Sequence, residues 1–417
     1  MLRTLRSLAG WALLTAPIGV AAQDSAMPPT FPAGIPDLLT TASGVKITTP
    51  EQWRDVRRPE LLEFFAREMY GRSPGRPEAM TIAAEAEPAE ALGGKAIREQ
   101  VAIRLDGRPE GRTIHLLLYR PKAATVPVPA FLGINFQGNQ SVNEDPAIIE
   151  SKVKMAAPGG KMVIFPRGSE SRRWPLETII DRGYAVATFA RGDLDPDRKD
   201  GFAESVRSDF PDLQNRPDNF GGIAAWAWGL SRALDYLETH PAIDAKRVAA
   251  FGHSRLGKAS LWAGATDERF ALVISNESGA GGAKLFRRAS GESVRKLNTN
   301  FPHWFCENFR KYNDQDAMLP FDQHQVIALI APRPAYVGSA LEDKNADPEG
   351  EFAGIKSAEP AFRLLGVEGM PATAWPAVGE PSMGGIGYHV RPGVHDVTDF
   401  DWARYLDFAD RHLRSRK

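Results

Sequence analysis

A serine at a glycine-rich turn is the residue of this chain best placed by type and spacing for nucleophilic chemistry. Ser254 lies in "AAFGHSRLGKASLWAGA" (249–265), where a short apolar run meets a turn and an alanine-rich, helix-like segment. A sharp strand-to-helix turn can lift a serine hydroxyl out at the edge of a sheet, beside the free amides of a helix N-terminus. Gly252 and Gly257 flank the serine, but Leu256 stands where the usual G-x-S-x-G turn has its second glycine. A serine that merely caps the following helix explains the turn equally well.

A serine nucleophile needs a base, and His395 is the histidine best placed to be one. An imidazole has a suitable basicity near neutral pH, and a carboxylate is needed to hold its tautomer and to stabilise the imidazolium. His395 lies in "RPGVHDVTDFDW", a polar loop after the last predicted strand and just ahead of the closing helix. His389, in "GYHVRPG", is the rival, although its surroundings favour a strand or loop residue.

Two carboxylates compete for the place beside this imidazole. Asp343, in "VGSALEDKNAD", follows the penultimate predicted strand, where most α/β-hydrolases carry the acid. Glu277, in "SNESGAGG", ends the strand that comes immediately after the nucleophile's helix. An acid at a strand end is by default a solvated loop residue. The sequence pattern therefore leaves the choice between Asp343 and Glu277 open.

The elements that must position these residues alternate between strands and helices. Five short apolar runs are typical of strands buried on both faces: "PVPAFLGINF", "YAVATFARGD", "RVAAFGHS", "ALVISNES" and "RPAYVGSALED". A hairpin over 98–120 precedes them, a helix is predicted over 220–241 between the second and third, and "DFDWARYLDFADRHLR" forms a closing helix. This order predicts an α/β fold, a mostly parallel central sheet with helices on both faces in a three-layer sandwich.

The chain is predicted to contain one catalytic domain with additions before and within it. Residues 23–95 are interpreted as an N-terminal extension that packs on this domain, with a helix over 51–71. Residues 96–417 are interpreted as the catalytic domain. Within it, the stretch near 284–330 is longer than a usual crossover and mixes aromatic with charged residues, which favours an insertion at a binding face.

The first 22 residues are interpreted as a cleaved signal peptide. They combine two arginines with an apolar stretch, and small residues precede the polar Gln23. A membrane anchor is the alternative, but it needs about 20 unbroken apolar residues, and Thr15, Pro17 and Gly19 interrupt this stretch. We therefore expect export to the periplasm or the extracellular medium.

Composition narrows the range of partners and cofactors. The 51 lysines and arginines nearly balance the 52 aspartates and glutamates, so we expect neither a nucleic-acid nor a membrane partner. The one cysteine, Cys306, excludes an intrachain disulfide and is interpreted as a small buried hydrophobe. Because no H-E-x-x-H, paired-cysteine or G-x-G-x-x-G motif is present, we expect no metal and no organic cofactor. We expect a monomer.

Five sequence blocks together resemble the glucuronoyl esterases, carbohydrate esterase family 15. The blocks are "NFQGN" (135–139), "ARGD" (190–193), "GHSRLGK" (252–258), "NESGAGG" (276–282) and "GVHDVTDFDW" (393–402). The displaced glycine of the turn and the arginine directly after the serine belong to this pattern. The resemblance covers most of the chain from about residue 100 onward, implies the α/β-hydrolase fold, and, in the absence of disulfides, points to the bacterial branch.

The resemblance also implies a role for each matching residue. Ser254 would be the nucleophile, Arg255 would help to stabilise the oxyanion, His395 would be the base, and Glu277 could serve as the acid. Bacterial members often carry a second acid at the usual position, which is Asp343 here. A permanent guanidinium charge beside the nucleophile would favour the alkoxide that develops during ester attack.

The resemblance suggests substrate contacts as well. Lys258 is expected to hydrogen-bond uronate hydroxyls, and Glu292, Asn300 and Trp304 in the insertion are further candidates, Trp304 being a core residue in the alternative interpretation. Some members carry an aromatic residue just after the position of Asp343. This chain has "KNA" at 344–346 instead, which removes that contact.

The function implied is a serine esterase that hydrolyses the ester between glucuronic or 4-O-methylglucuronic acid of glucuronoxylan and a lignin-type alcohol. A first alternative keeps the chemistry and changes the substrate to acetyl or feruloyl esters of xylan. A second alternative is a catalytically silent carbohydrate-binding protein of the same fold. The intact Ser254, His395 and two candidate acids argue against the silent protein.

Overall fold

A computed structural model describes residues 31–157 and 161–414. The predicted signal peptide, residues 1–22, lies outside the described residues and stays a prediction. Within the described ranges, no helix combines the length and the apolar character that crossing a membrane requires.

A ten-stranded sheet organises the chain, with the order β1-β2-β3-β7-β4-β8-β9-β10-β12-β11. Strands β5 and β6 form a separate two-stranded ribbon. The strand bounds are β1 Thr81–Ala91, β2 Ala96–Arg104, β3 Thr113–Pro121, β4 Val128–Asn135, β5 Met155–Ala156, β6 Met162–Val163, β7 Ala185–Ala190, β8 Ile243–His253, β9 Leu272–Asn276, β10 Ala335–Ala340, β11 Ser382–Met383 and β12 Ile386–Arg391.

The sheet matches the predicted pattern of strands. The five apolar runs form β4, β7, β8, β9 and β10, and these strands pair in parallel with one another and with β12. The predicted hairpin is β2 and β3, which are antiparallel with Arg104 opposite Thr113. The carboxyl ends of the parallel strands therefore share one edge of the sheet, where ligands bind in folds of this class.

Helices cover both faces of the sheet. The α-helices are α1 Pro50–Gln52, α2 Arg58–Phe65, α3 Leu176–Asp181, α4 Gly222–Leu237, α5 Arg255–Thr266, α6 Val294–Asn300, α7 His324–Ala328, α8 Pro348–Leu364 and α9 Asp399–Leu413. One apolar core includes side chains of α4, α5, α7 and α8, and a second core on the other face includes those of α3 and α9. The observed layers are those of the α/β-hydrolase sandwich.

Shorter helical segments join these elements. π-Helical turns at Trp53–Arg57 and Ala66–Tyr70 continue α1 and α2 into one helical stretch. The 3₁₀ segments are Leu92–Gly94, Asn139–Val142, Ser171–Arg173, Arg191–Asp193, Phe202–Glu204, Val206–Asp209, Pro211–Leu213, Glu307–Tyr312 and Asp316–Met318.

Residues before 96 are part of the same packed body. Strand β1 lies inside the segment interpreted as an extension, yet it pairs with β2 and forms an edge of the main sheet. The helical stretch that ends before Gly71 buries Trp53, Phe65 and Tyr70 completely. Tyr70 stacks on Trp262 of α5 with ring centroids 4.3 Å apart. The N-terminal segment thus supports the helix that follows Ser254.

The long crossover near 284–330 carries α6, α7 and two 3₁₀ segments between β9 and β10. Cys306 lies in this crossover with 3% of its surface exposed, which confirms its interpretation as a buried residue. Burial raises the pKa of its thiol to about 12, so the thiolate is not formed near neutral pH.

Candidate active site

The turn between β8 and α5 holds Ser254 in a strained conformation. Its φ is 58° and its ψ is −129°, values that a residue other than glycine rarely adopts, and its N–H donates to Asn276 O over 2.8 Å. Gly252 makes the turn possible, because a Cβ atom there would lie 2.0 Å from Leu256 O. The sharp turn predicted around Ser254 is therefore present.

The displaced second glycine has a structural explanation. Leu256, at the position where the usual motif has glycine, is 1% exposed and packs in the core. Gly257 instead occupies the tight approach of α5 to β9, because a Cβ atom there would lie 3.1 Å from Asn276 O. Glycine is therefore required at residue 257, where α5 comes closest to β9, and this is one residue later than in the common motif.

Both candidate acids contact the same nitrogen of His395. Its Nδ1 is hydrogen-bonded to Asp343 Oδ2, the nearer carboxylate, and lies 3.2 Å from Glu277 Oε2. The imidazole is 42% exposed, whereas the side chains of Asp343 and Glu277 are 6% and 0% exposed. Engagement of Nδ1 leaves Nε2 available for proton transfer. The structure thus places both candidate acids at the same nitrogen of His395.

Ser254 lies next to this cluster. The ring of His253, its neighbour in the chain, is 4.5 Å from the ring of His395. The residue that accepts the Ser254 N–H, Asn276, directly precedes Glu277. The turn that carries Ser254 and the loop that carries His395 therefore lie close together at the carboxyl edge of the sheet, where a nucleophile and its base have to lie.

Arg391 and Asp396 hold Glu277 and the His395 loop together. Arg391 Nη2 donates to Glu277 Oε1 over 2.6 Å and to Asp396 O over 2.7 Å. The backbone N–H of Asp396 donates to Glu277 Oε2 over 3.1 Å, and the Asp396 carboxylate accepts from Arg173 over 2.6 Å. These contacts fix the loop that carries the imidazole.

The environment separates the pKa values of the three groups. Burial acts to lower the pKa of His395, but hydrogen bonds to Asp343 and Glu277 outweigh it and raise the pKa to about 9. Burial opposes ionisation of Asp343, yet its hydrogen bond with His395 lowers its pKa. Burial raises the pKa of Glu277 to about 7 in spite of His395 and Arg391. Asp343 is therefore the principal counter-charge of the imidazolium.

The same three residues bring potential metal ligands within 4.8 Å of one another. Their arrangement suits a base and its acids better than a cation. His395 Nδ1 already shares hydrogen bonds with the two carboxylates, and the Arg391 guanidinium lies 2.6 Å from Glu277 Oε1. A metal ion bound there would face this fixed positive charge at close range.

His389, the rival to His395, and His253, the residue before Ser254, both have structural partners. His253 is 4% exposed and hydrogen-bonds Asn276 Oδ1 through Nδ1, and burial holds its pKa well below the usual value. His389 is fully buried in β12, where it contacts Asp401 Oδ1 over 2.9 Å and the Tyr336 hydroxyl over 3.0 Å. Neither ring is available as a general base.

Arg255, the residue directly after Ser254, carries two groups that can attract negative charge. Arg255 begins α5, so its backbone N–H is among the amides without an intrahelical acceptor at the positive end of the helix dipole. Its guanidinium lies over the ring of Trp304, 4.9 Å from the centroid. The residue directly after Ser254 thus offers a free backbone amide and a permanent cation, which are the groups that stabilise an oxyanion.

The residues expected to contact substrate lie in different environments. Lys258 Nζ is 3.4 Å from Glu292 Oε2 and donates to Ala280 O over 2.8 Å. Trp304 is 2% exposed, and its face is covered by Phe301 at 3.7 Å. Asn300 is the exposed last residue of α6. The structure brings Lys258 and Glu292 together, and the substrate roles stay predictions.

Several residues of the site were not identified from the sequence. Arg391, Asp396 and Asp401 tie β12 to the His395 loop and to α9, and Asp197 binds Arg255. Their partners lie far away along the chain, and charged residues of this kind usually cover a surface. Only burial in the folded protein distinguishes them.

Comparisons with known proteins agree with this geometry. The family model of fungal glucuronyl esterases matches residues 141–366. A carbohydrate esterase from an unknown prokaryotic organism is 46% identical over 91% of this chain and 89% of its own length. A 4-O-methyl-glucuronoyl methylesterase of Hypocrea jecorina is 28% identical over 80% of this chain, which spans 63% of that protein.

Solved structures are similar over the same range. A glucuronoyl esterase from Solibacter usitatus superimposes with a TM-score of 0.87 at 42% identity, covering 91% of this chain and 98% of that one. A promiscuous esterase of carbohydrate esterase family 15 from a marine bacterial metagenome gives a TM-score of 0.84 at 45% identity, covering 91% and 97%. The chain therefore belongs to the glucuronoyl esterases, carbohydrate esterase family 15.

Proposed function

We propose that this protein is a serine esterase that hydrolyses esters of glucuronic and 4-O-methylglucuronic acid. Relatives named 4-O-methyl-glucuronoyl methylesterase and a glucuronoyl esterase of known structure support this substrate class. The observation that carries the proposal is that the strained turn of Ser254 lies close to the His395 imidazole, which two carboxylates hold and whose ring is 4.5 Å from that of His253. This arrangement is built for acyl transfer through a covalent intermediate.

In the first half-reaction, His395 takes the proton from Ser254 Oγ as the oxygen attacks the uronoyl carbonyl carbon. The carbonyl oxygen becomes an oxyanion, which the Arg255 guanidinium and the Arg255 backbone N–H stabilise. His395 then gives its proton to the ester oxygen as the bond to the alcohol breaks. The alcohol leaves, and the uronoyl group remains on Ser254.

In the second half-reaction, a water molecule loses a proton to His395 and attacks the same carbonyl carbon. The oxyanion forms again in the same place, and His395 returns the proton to Ser254 Oγ as the acyl bond breaks. The products are a uronic acid and the regenerated serine. Asp343 and Glu277 stabilise the imidazolium in both halves of the cycle.

Lys258 and Glu292 supply the polar groups for the sugar in this proposal. Glu292 is 25% exposed beside the buried ammonium of Lys258, so its oxygens can accept hydrogen bonds from sugar hydroxyls. The natural ester proposed is that between a glucuronate branch of xylan and a lignin-type alcohol. Such a substrate lies outside the cell, in keeping with the export expected from residues 1–22.

A panel of esters tests the substrate class. We expect the wild type to hydrolyse the benzyl ester of glucuronic acid at least about 10-fold faster, in kcat/KM, than the benzyl ester of galacturonic acid. These sugars differ in the configuration of one hydroxyl, and a site that hydrogen-bonds that hydroxyl discriminates strongly. Acetylated xylan and a feruloyl ester complete the panel. Faster hydrolysis of either would replace the glucuronate proposal with an acetyl or feruloyl esterase.

The raised pKa of His395 leads to a second test. The base must be neutral to accept a proton, so kcat/KM should rise with pH until about 9, where the imidazolium loses its proton. Asp343→Asn removes the largest influence that raises this pKa, so the acid limb of the profile should move to lower pH. Rates of glucuronate ester hydrolysis measured between about pH 5 and about pH 10, corrected for spontaneous hydrolysis, give the acid limb of the wild type and that of the variant. An identical acid limb in the wild type and the variant would contradict the assignment of His395 as the base.

A further inference from the structure

Among the described residues, Nη1 of the Arg255 guanidinium has a hydrogen-bond partner and Nε has none. Its Nη1 donates to Asp197 Oδ2 over 2.6 Å. The planar group lies over Trp304 and Phe301, with 4.9 Å and 5.5 Å to the ring centroids. Its Nε is buried and has no hydrogen-bond partner among residues 31–157 and 161–414. The side chain is thus fixed in place while a donor remains unused.

Asp197 is the centre of this arrangement. Its side chain is 1% exposed, and the Arg191 guanidinium shares Oδ2 with Arg255. The other oxygen, Oδ1, contacts His303 Nε2 over 3.0 Å and accepts from Trp304 Nε1 over 2.8 Å. Burial opposes the charge, but Arg255 and Arg191 outweigh it and lower the pKa of the carboxyl. Asp197 is therefore ionised at neutral pH.

The charges around Asp197 leave the Arg255 guanidinium with uncompensated positive charge. A single carboxylate tethered to Arg255 would cancel its charge at the site of the oxyanion. Arg191 is 5% exposed and contacts the same carboxylate, so two guanidinium groups share the charge of Asp197. The two other acids that act on Arg191 have arginine partners of their own, Arg207 for Asp195 at 3.0 Å and Arg173 for Glu170 at 3.4 Å, so the cluster stays positive. Arg191 is itself held by Phe136 O, which its Nε contacts over 3.1 Å. The cluster fixes Arg255 without neutralising it.

We propose that Asp197 is the positioning residue that sets Arg255 for oxyanion stabilisation, with Arg191 preserving the positive charge of the cluster. This inference rests on the proposed function, because it assigns Arg255 a role in the transition state. Asp197 acts through Arg255 and does not touch the reacting atoms. Its own backbone is held in the left-handed region, with φ of 56°, which fits a residue fixed by its surroundings.

A double-mutant cycle separates positioning from a merely structural role. We expect Arg255→Ala to reduce kcat for a glucuronate benzyl ester by about 10²-fold to 10³-fold, with a small change in KM. Asp197→Asn should reduce kcat at least about 10-fold in the wild type and less than about 3-fold in the Arg255→Ala variant. Multiplicative losses in the double variant would overturn the proposal, because they would mean that Asp197 acts independently of Arg255.

Asp235 supplies the matched control. It is a buried carboxylate on α4 that also pairs with arginines, 2.7 Å from Arg232 Nε, 2.7 Å from Arg269 Nη1 and 3.6 Å from Arg76 Nε. Asp235→Asn should lower the melting temperature and leave kcat within about 2-fold of the wild type. A kcat loss in this variant equal to that of Asp197→Asn would show that any buried carboxylate gives the effect, and would overturn the proposal.

Asp197→Glu keeps the test decisive if the asparagine variant does not fold. Glutamate retains the buried charge but displaces the carboxylate by one methylene group. We expect a kcat loss of about 5-fold or more with KM near the wild-type value, and no loss when Asp197→Glu is introduced into the Arg255→Ala variant. Full activity of a folded Asp197→Glu variant would overturn the positioning role. If Arg255→Ala itself keeps the wild-type kcat, the oxyanion role in the proposed mechanism fails instead.

Discussion

Replacing Ser254 with alanine is expected to reduce kcat for glucuronate esters by about 10⁴-fold to 10⁶-fold. The substitution removes the oxygen that forms the acyl-enzyme, and no other hydroxyl takes its place at the strained turn. The residual rate over water would come from the oxyanion site and from binding. The measurement is release of benzyl alcohol from the benzyl ester of glucuronic acid by the purified variant.

Two further variants show that this loss is chemical and not a failure to fold. Ser254→Gly should be equally inactive but more stable by about 1 kcal/mol, because glycine adopts the φ of 58° without strain. Ser260 lies in the same helix and donates to Gly257 O over 2.9 Å and to Ile274 O over 2.8 Å. Ser260→Ala should therefore lose about 1 kcal/mol of stability and keep its kcat. More than about 1% of wild-type activity in Ser254→Ala would rule out this nucleophile.

Removing both acids beside His395 is expected to reduce kcat by about 10⁴-fold, whereas removing either one should cost about 10-fold or less. Asp343 and Glu277 both contact Nδ1, so the remaining carboxylate in each single variant still holds the tautomer and stabilises the imidazolium. Asp343→Asn, Glu277→Gln and the double variant, assayed with the same ester, give the comparison. The combined loss should greatly exceed the product of the two single losses, since the acids substitute for each other.

Controls for the acid variants address charge and stability. Glu342 is exposed and adjacent to Asp343, so Glu342→Gln removes a nearby negative charge without touching His395 and should keep full activity. Glu277→Gln should lower the melting temperature, because the variant takes a partner away from the buried Arg391 guanidinium. If one single variant is as inactive as the double variant, that acid alone supports His395, and the proposal that the two acids substitute for each other is contradicted.

The sequence was most informative where local pattern and local structure coincide. The apolar runs that form β4, β7, β8, β9 and β10 are buried on both faces, so their composition alone predicted the sheet. The turn at Ser254 was recognised for the same reason, since Gly252 permits a contact with Leu256 O only four residues along the chain. Strand β1 was missed, because "TIAAEAEPAEA" is rich in alanine and glutamate and includes a proline, all of which are uncommon in strands.

The site was less predictable wherever its contacts span the chain. Glu277 and Asp343 were both credible acids because each follows a strand, and only the fold brings them to one imidazole nitrogen. Arg391 and Asp197 gave no local signal that separates a buried charge from a surface one. Trp304 was a candidate substrate contact with a core position as the alternative interpretation, and its hydrogen bond to Asp197 and its place under the Arg255 guanidinium gave no signal in the sequence.

Partitioning of the acyl-enzyme tests the central claim most directly. Hydrolysis of the methyl and benzyl esters of glucuronic acid in a fixed concentration of ethanol should give glucuronic acid and ethyl glucuronate in initial rates whose ratio is the same for both esters. The ratio is shared because both substrates pass through one glucuronoyl group on Ser254, which water and ethanol then attack. A ratio that changes with the leaving group, or an absence of hydrolysis by the folded wild type, would contradict the account.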